Sequence, residues 1–401
     1  MTDASRIVLH IAGVDRPGVT ARLAEVVAAE QATIVTIGQS VLHGYLMLSA
    51  IVELPPRSNA LREILFAVSE LGLRLEVSAF RSPDSARGGR APAGICVTLL
   101  GELGDGKAVA AIARAMAERR MSIREMRSLS EERLSGLELI TDVPDSTITE
   151  NGALARLRGD FLRLGTELGV DLAVQKDDIF RKTKRLVCMD VDSTFTRGEL
   201  IDELAAEVGA GDRVQAITAR AMRGELDFRQ ALAERVALLE GLPLERARAV
   251  ASRIELTPGA ERFVHTLKSL GFKVGLVSGG FDFFVDALKR RFALDFCFSN
   301  ELEVVDGRLT GRVQGTIVDG ERKAQIVRDM ARVYELRLEQ TVAVGDGAND
   351  MLMLQTAGLG IAFHGKPRLQ AVSDVSLNHH DRLDTLLLLM GFGARDLAAL
   401  R

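Results

Sequence analysis

The chain opens with an apolar run, IVLHIA at 7–12, which predicts a strand. The Gly/Pro turn GVDRPGV at 13–19 follows and opens a helix, with Pro17 suited to a first helical position and Leu23, Val26 and Val27 forming its apolar stripe. Two strands are predicted at 33–41 and 42–54, then a helix over about 59–71 and a strand at 73–80. This β-α-β-β-α-β order is a ferredoxin-like split βαβ of roughly 80 residues. The segment SPDSARGGRAPAG at 82–94 carries no periodicity and reads as a linker.

The same order then repeats. ICVTLLG at 95–101 answers IVLHIAG at 7–13, an offset of 88 residues. A helix at 106–119, strands near 122–129 and 134–143, a helix at 151–164 and a strand near 168–174 complete a second copy. From about residue 180 the pattern changes. A short apolar strand at 186–189 leads into a largely helical stretch, 200–253. Beyond it come a helix at 258–269, a strand at 272–280, a helix at 281–291, and strand-like pieces near 294–298 and 302–305. A helix at 321–333, a strand within 341–350 and the run GLGIAF at 358–363 follow. This alternation predicts an α/β, three-layer parallel-sheet domain, with the helical insertion capping the end of the sheet that carries Asp190. The expected organisation is therefore 1–82, a linker at 83–94, 95–178, and 180–401 with a cap at about 200–253.

Composition adds little to that picture but removes alternatives. The 401 residues are 47% hydrophobic and 26% charged, and a net charge of -4 gives no support for nucleic-acid or anionic-membrane partners. Cys96, Cys188 and Cys297 stand far apart in apolar runs, which fits buried thiols and no disulfide framework. The N-terminus has no basic region followed by a long apolar stretch, and the run near 386–390 is too short to span a bilayer. A cytoplasmic location is expected.

The chemistry concentrates at predicted strand ends. Asp190 and Asp192 follow the apolar LVCM, Ser278, Gly279 and Gly280 follow VGLV, and Asp346, Asn349 and Asp350 follow TVAV. Lys323 lies between the last two clusters. Ligands of parallel sheets gather at this edge. The Asp190 carboxylate, a backbone carbonyl near Asp192, and Asp346 are hard oxygen donors, which favours Mg²⁺ over zinc. Ser278 and the following amides can hold phosphate oxygens, and Lys323 can neutralise charge between a carboxylate nucleophile and a phosphate dianion. The set fits phosphoryl transfer to an aspartate followed by attack of water. No GxxxxGK[ST] loop is present to suggest a P-loop kinase. Of the six histidines only His379 and His380, on a late loop, are paired, and no role is assigned to them; His364 in AFHGKP reads as a surface loop residue, with an approach to the substrate entrance as the alternative.

These motifs, DVDST at 190–194, SGG at 278–280, Lys323 and GDGAND at 345–350, resemble those of the haloacid dehalogenase-like phosphatases. The resemblance implies Asp190 as nucleophile, Asp192 as general acid and base, and Mg²⁺ held by Asp190, the Asp192 carbonyl and Asp346, with Asp350 and Asn349 in support. Within that superfamily, Glu199 in GELIDELA, MRGELDF at 222–228 and Arg235 in RVALLEGL resemble the bacterial L-phosphoserine phosphatases. That resemblance implies Glu199 on the substrate ammonium, Arg235 on its carboxylate, and Met222 and Phe228 as an apolar wall. Ser278, Gly279, Gly280, Lys323 and Asn349 would hold the phosphate end of O-phospho-L-serine. It also implies the last step of serine biosynthesis.

One departure is Phe195–Thr196, where related enzymes often carry Leu and a small or polar residue. The paired amino-terminal copies resemble tandem ACT domains, which implies a homodimer and a free amino acid, serine first among candidates, near Gly18 in GVDRPG. In the second copy, GELGDG at 101–106, Leu103 replaces the aspartate. Two alternatives stand beside this reading. One is another phosphomonoesterase of the superfamily, acting on phosphohomoserine or a sugar phosphate, and the other is a non-catalytic amino-acid-sensing regulator.

Overall fold

The computed structural model describes residues 5–81, 93–130, 133–144, 146–149 and 152–399. The chain divides into two compact units, residues 1–90 and 91–401. The first holds β1 (Ser5–Val14), β2 (Thr33–Leu42), β3 (Tyr45–Leu54) and β4 (Arg74–Ala79), with helices at Val19–Ala29 and Ala60–Glu70. Its antiparallel sheet runs β2-β3-β1-β4. Period-2 burial along β3 turns Leu46, Leu48, Ala50 and Val52 toward Leu23, Val27, Ile64 and Val68 of the helices. The helix begins at Val19 with Gly18 as its N-cap at φ 96, so Pro17 lies outside it rather than at its first position. A left-handed cap is where glycine carries no steric penalty.

The second unit contains β5 (Ala93–Leu100), β6 (Ser122–Ser128), β7 (Gly136–Val143) and β8 (Asp171–Lys176), followed by β9 (Leu186–Met189) and β10 (Lys273–Phe281). It continues with β11 (Phe296–Val305), β12 (Arg308–Gln314), β13 (Thr341–Gly345), β14 (Gly360–Phe363) and β15 (Val375–Leu377). The order β8-β5-β7-β6 matches β4-β1-β3-β2, so both copies of the repeat fold alike. The expected linker falls on residues 82–92, outside the described set, apart from Ala93 and Gly94, which belong to β5.

Three differences from expectation arise here. The two strand-like pieces at 294–305 are one strand, β11, which turns at Asp306–Gly307 into the unforeseen antiparallel β12. The strand expected within 341–350 ends at Gly345. The second repeat does not stand apart, because β8 pairs antiparallel with β15, Ala173 opposite Val375, and one eleven-stranded sheet results. The sheet face of the second repeat is also covered. Gln175 Nε2 donates to Leu389 O at 2.9 Å, and Glu138 pairs with Arg181 at 2.6 Å, both side chains 2% exposed. Leu103, which replaces the aspartate, is buried in that repeat's core.

The central strands β9, β10, β13, β14 and β15 are parallel, and β9 (LVCM) is buried throughout, as a strand covered on both faces must be. Helices Leu200–Glu207, Gly211–Met222, Phe228–Ala237 and Leu244–Ala251 lie between β9 and β10 in the chain. Among the described residues no helix is long and apolar enough to cross a membrane.

Candidate active site

Asp190 directly follows β9, and its N–H still donates to Val344 O of β13 at 2.9 Å. The chain then coils tightly through Val191–Phe195, with Ser193 at φ 57. This turn sends Asp192 back toward the strand ends. One Asp192 oxygen accepts from Leu200 N at 2.9 Å and the other from Ser278 Oγ at 3.4 Å. Thr257 holds the coil from outside, donating its hydroxyl to Thr194 O at 2.7 Å. Phe195 is fully buried edge-on against Phe292, so the departure at 195 is a matter of core packing.

Ser278 ends the apolar run of β10 and is fully buried. Its hydroxyl accepts from Gly280 N at 2.8 Å and so fixes the glycine loop. No larger residue fits there, because a Cβ on Gly280 would stand 2.7 Å from the Asp192 carboxylate. At Gly279 a Cβ would meet the Phe228 ring at 3.1 Å, which puts that ring over the loop. Lys323 lies in helix Gly320–Val333, capped by the Asp319 side chain on Arg322 N at 3.0 Å. The lysine is fully buried, with Nζ 2.8 Å from Asp190 Oδ1 and 2.7 Å from Asp350 Oδ1.

Oxygens of Asp190, Asp346 and Asp350 lie within 4.8 Å of one another. Lys323, with Lys366 acting on Asp346, does not balance three buried carboxylates at that spacing. Burial, and then the Asp350 charge, hold Asp190 well above the usual carboxylate range despite Lys323. The same two causes push Asp346 up to about 7. Burial would lower Lys323, yet Asp190 and Asp350 outweigh it and raise the ammonium above its ordinary value. An all-oxygen set with surplus negative charge fits a hard divalent cation such as Mg²⁺. Burial also raises Asp192, partly offset by the Leu200 N–H, so this carboxyl can hold a proton more readily than a free one.

A cavity of about 780 Å³ opens above this floor, lined by Asp190, Asp192, Glu199, Phe228, Arg235, Gly279, Gly280, Asp346 and Asn349 among others. Ser278 and Lys323 lie beneath its lining. Arg235 Nη1 is 3.8 Å from Glu199 Oε2, the guanidinium side chain 14% exposed and the carboxylate 36%. The Met222 side chain lies outside the described residues.

Four residues were not foreseen. Asn300, fully buried in β11, donates to Gly279 O at 2.7 Å and accepts from Val318 N at 2.8 Å, which ties the glycine loop to the start of the Lys323 helix. The only hint in the sequence is Ser299–Asn300 interrupting an apolar run. Arg229 grips Asp319 through Nε and Nη2 at 3.0 and 2.6 Å, both residues lining the cavity. Lys366 also lines the cavity, and its N–H donates to Asp346 O at 3.0 Å.

Comparison with known proteins gives the families of the domains. The haloacid dehalogenase-like hydrolase family matches residues 187–355, and the ACT domain family matches 5–78 and again 95–175. Phosphoserine phosphatase SerB2 of Mycobacterium tuberculosis is 44% identical over 96% of this chain and 93% of its own length. The phosphoserine phosphatase of Streptomyces coelicolor is 40% identical over 99% and 95%. Among solved structures, a probable phosphoserine phosphatase from Vibrio cholerae superposes with a TM-score of 0.58 at 30% identity, covering 77% of this chain and 90% of that one.

Proposed function

The chain belongs to the phosphoserine phosphatases of the haloacid dehalogenase-like hydrolases, and on that premise we propose that it hydrolyses O-phospho-L-serine to L-serine and phosphate. The observation that carries the reading is the cavity itself. A phosphoryl-transfer floor of Asp190 and Asp192, with Lys323 beneath it, shares the cavity with the oppositely charged pair Glu199 and Arg235.

In this reading Asp190 Oδ attacks phosphorus, the P–O bond to serine breaks, and Asp192 gives its proton to the departing alkoxide. Asp192, now a carboxylate, takes a proton from water. That water attacks the aspartyl phosphate, which returns Asp190 and releases phosphate. Ser278 and the Gly279–Gly280 amides hold the phosphoryl oxygens, and Lys323, beside Asp190, favours its charged form and neutralises charge between it and the phosphate. Asp190, Asp346 and the Asp192 carbonyl would hold Mg²⁺, with Asp350 and Asn349 in support, and the ion would neutralise charge between nucleophile and phosphate. Glu199 receives the substrate ammonium, Arg235 its carboxylate, and Phe228, with Met222, closes the apolar side. In this reading the reaction is the last step of serine biosynthesis.

The test is phosphate release from phosphoserine, p-nitrophenyl phosphate and a sugar phosphate, with and without Mg²⁺. Release should need Mg²⁺ and favour phosphoserine. Glu199→Gln and Arg235→Gln should each lower kcat/KM for phosphoserine about 10–100-fold, chiefly through KM, because each removes a charge-assisted hydrogen bond. Turnover of p-nitrophenyl phosphate, which lacks both groups, should hold within about twofold. A uniform loss on all three substrates would defeat these assignments and favour another small phosphomonoester.

We read residues 1–82 and 95–178 as ACT-type domains preceding a catalytic domain at 180–401, and the assembly as a homodimer. Gly18 offers the amino-acid approach point, with open space where a side chain would begin. In the second copy the buried Leu103 fills the equivalent loop, so the first copy is the candidate sensor. Serine at millimolar level should lower activity or change the sedimentation coefficient, and Gly18→Val should remove that response. A serine-insensitive wild type would end this part of the reading.

A further inference from the structure

Asp171 opens β8 in the second ACT-type repeat, yet its carboxylate serves the catalytic region. It is 4% exposed, and both oxygens are taken up by the loop after β15. Asn378 N donates at 2.7 Å, His379 N at 3.1 Å, and His380 Nδ1 lies at 2.7 Å. Sheet direction explains the reach. Because β8 is antiparallel to β15, its first residue stands at the edge where the parallel strands end, the edge that carries Asp190 and Asp346. Three strand spacings, about 14 Å, separate β8 from β13.

The contacts continue across that edge. Leu377, just before the clamped loop, accepts from His364 N at 2.8 Å. His364 adopts φ 47, unusual for a non-glycine residue, and its Nε2 is 3.3 Å from Asp381 Oδ1. Such a conformation persists only where neighbours enforce it. Two residues on, Lys366 N holds Asp346 O at 3.0 Å. Docking alone does not account for Asp171, since Glu138–Arg181, Gln175–Leu389 and Arg127–Gly391 already fasten the repeat through its sheet face.

We propose that Asp171 is a positioning residue for the reaction, through which the second ACT-type repeat fixes the 364–366 turn and, with it, the Asp346 carboxylate. The inference rests on the phosphatase reading above. Direct partners of metal ligands are worth about 10–100-fold in affinity or activity, and Asp171, which reaches Asp346 only through the backbone at 377–380 and 364–366, belongs at the low end of that range. In Asp171→Asn an amide N–H₂ replaces one acceptor and faces donors. Calorimetric titration of Mg²⁺ alone into the metal-free full-length protein should then show binding weakened roughly tenfold. kcat for phosphoserine should fall by a similar factor, with KM within about twofold.

His380→Ala, which removes one donor from a partly exposed position, should move Mg²⁺ binding the same way by a smaller factor, and it serves if the first variant does not fold. Arg127→Gln, which loosens the sheet-face docking, should shift neither quantity. Unshifted Mg²⁺ binding in folded Asp171→Asn or His380→Ala would overturn the inference, as would an equal shift in Arg127→Gln. A wild type that leaves phosphoserine intact would instead overturn the reading on which it rests.

Discussion

Asp190→Asn is expected to lower phosphate release from phosphoserine by about 10³-fold or more while leaving the fold at least as stable. The chemical half follows from position. Asp190 is the carboxylate at the end of the central buried strand, it lies on the cavity floor, and Lys323 Nζ stands 2.8 Å away and offsets part of its charge. An amide oxygen there has nearly the same shape and no capacity to form the acyl phosphate. The stability half follows from crowding. Asp190, Asp346 and Asp350 crowd around Lys323, with Lys366 as a second cation acting on Asp346, and burial with Asp350 already holds Asp190 above its ordinary range. Removing one of three mutually repelling charges relieves the metal-free protein, while Lys323 keeps its 2.7 Å contact with Asp350. Phosphate release, acid-quenched capture of labelled phosphoenzyme and the metal-free melting temperature test both halves. More than a few per cent residual turnover, or label retained on the variant, would move the nucleophile elsewhere.

The residues proposed for this chemistry were legible because they are local in sequence. An apolar run ending in DVDST, another ending in SGG and a third ending in GDGAND each carry strand and chemistry in one stretch. The repeat was legible for the same reason, since an 88-residue offset needs no tertiary knowledge. What remained hidden depends on distant pairs. Asp171 and Asn378 are 207 residues apart, and nothing around either announces the other. Asn300 reads as a break in a strand until Gly279 and Val318 stand on either side of its amide. The joined sheet could not be foreseen either, because each of its halves has a complete pattern of its own. His364, which reads as a surface loop residue, and His380, assigned no role, acquire contacts only through that junction.

Lys323→Met separates two roles that the lysine combines. Its ammonium is fully buried between Asp190 and Asp350, and methionine keeps most of the aliphatic stem while removing the charge. Breaking a buried pair from one side leaves uncompensated charge and costs about 3–5 kcal/mol. The pH dependence has a definite sign. Asp190 is already held above its unfolded value, and Asp346 stands at about 7 against 3.8. Without the lysine these carboxyls rise further. A carboxyl whose folded value lies above its unfolded one binds more protons when folded, so its cost is full above the folded value and fades as pH falls toward the unfolded one. The variant should therefore melt well below the wild type at pH 8 without metal, and close to it at pH 5. Mg²⁺ at pH 8 should restore part of the gap by supplying positive charge to the same three carboxylates. It should not restore turnover, because the proton-bearing contact on Asp190 is gone. Equal melting temperatures at pH 8 in metal-free protein would mean that the cluster is neutralised by protons rather than by Lys323. Restored turnover with Mg²⁺ would reduce the lysine to a structural counter-ion.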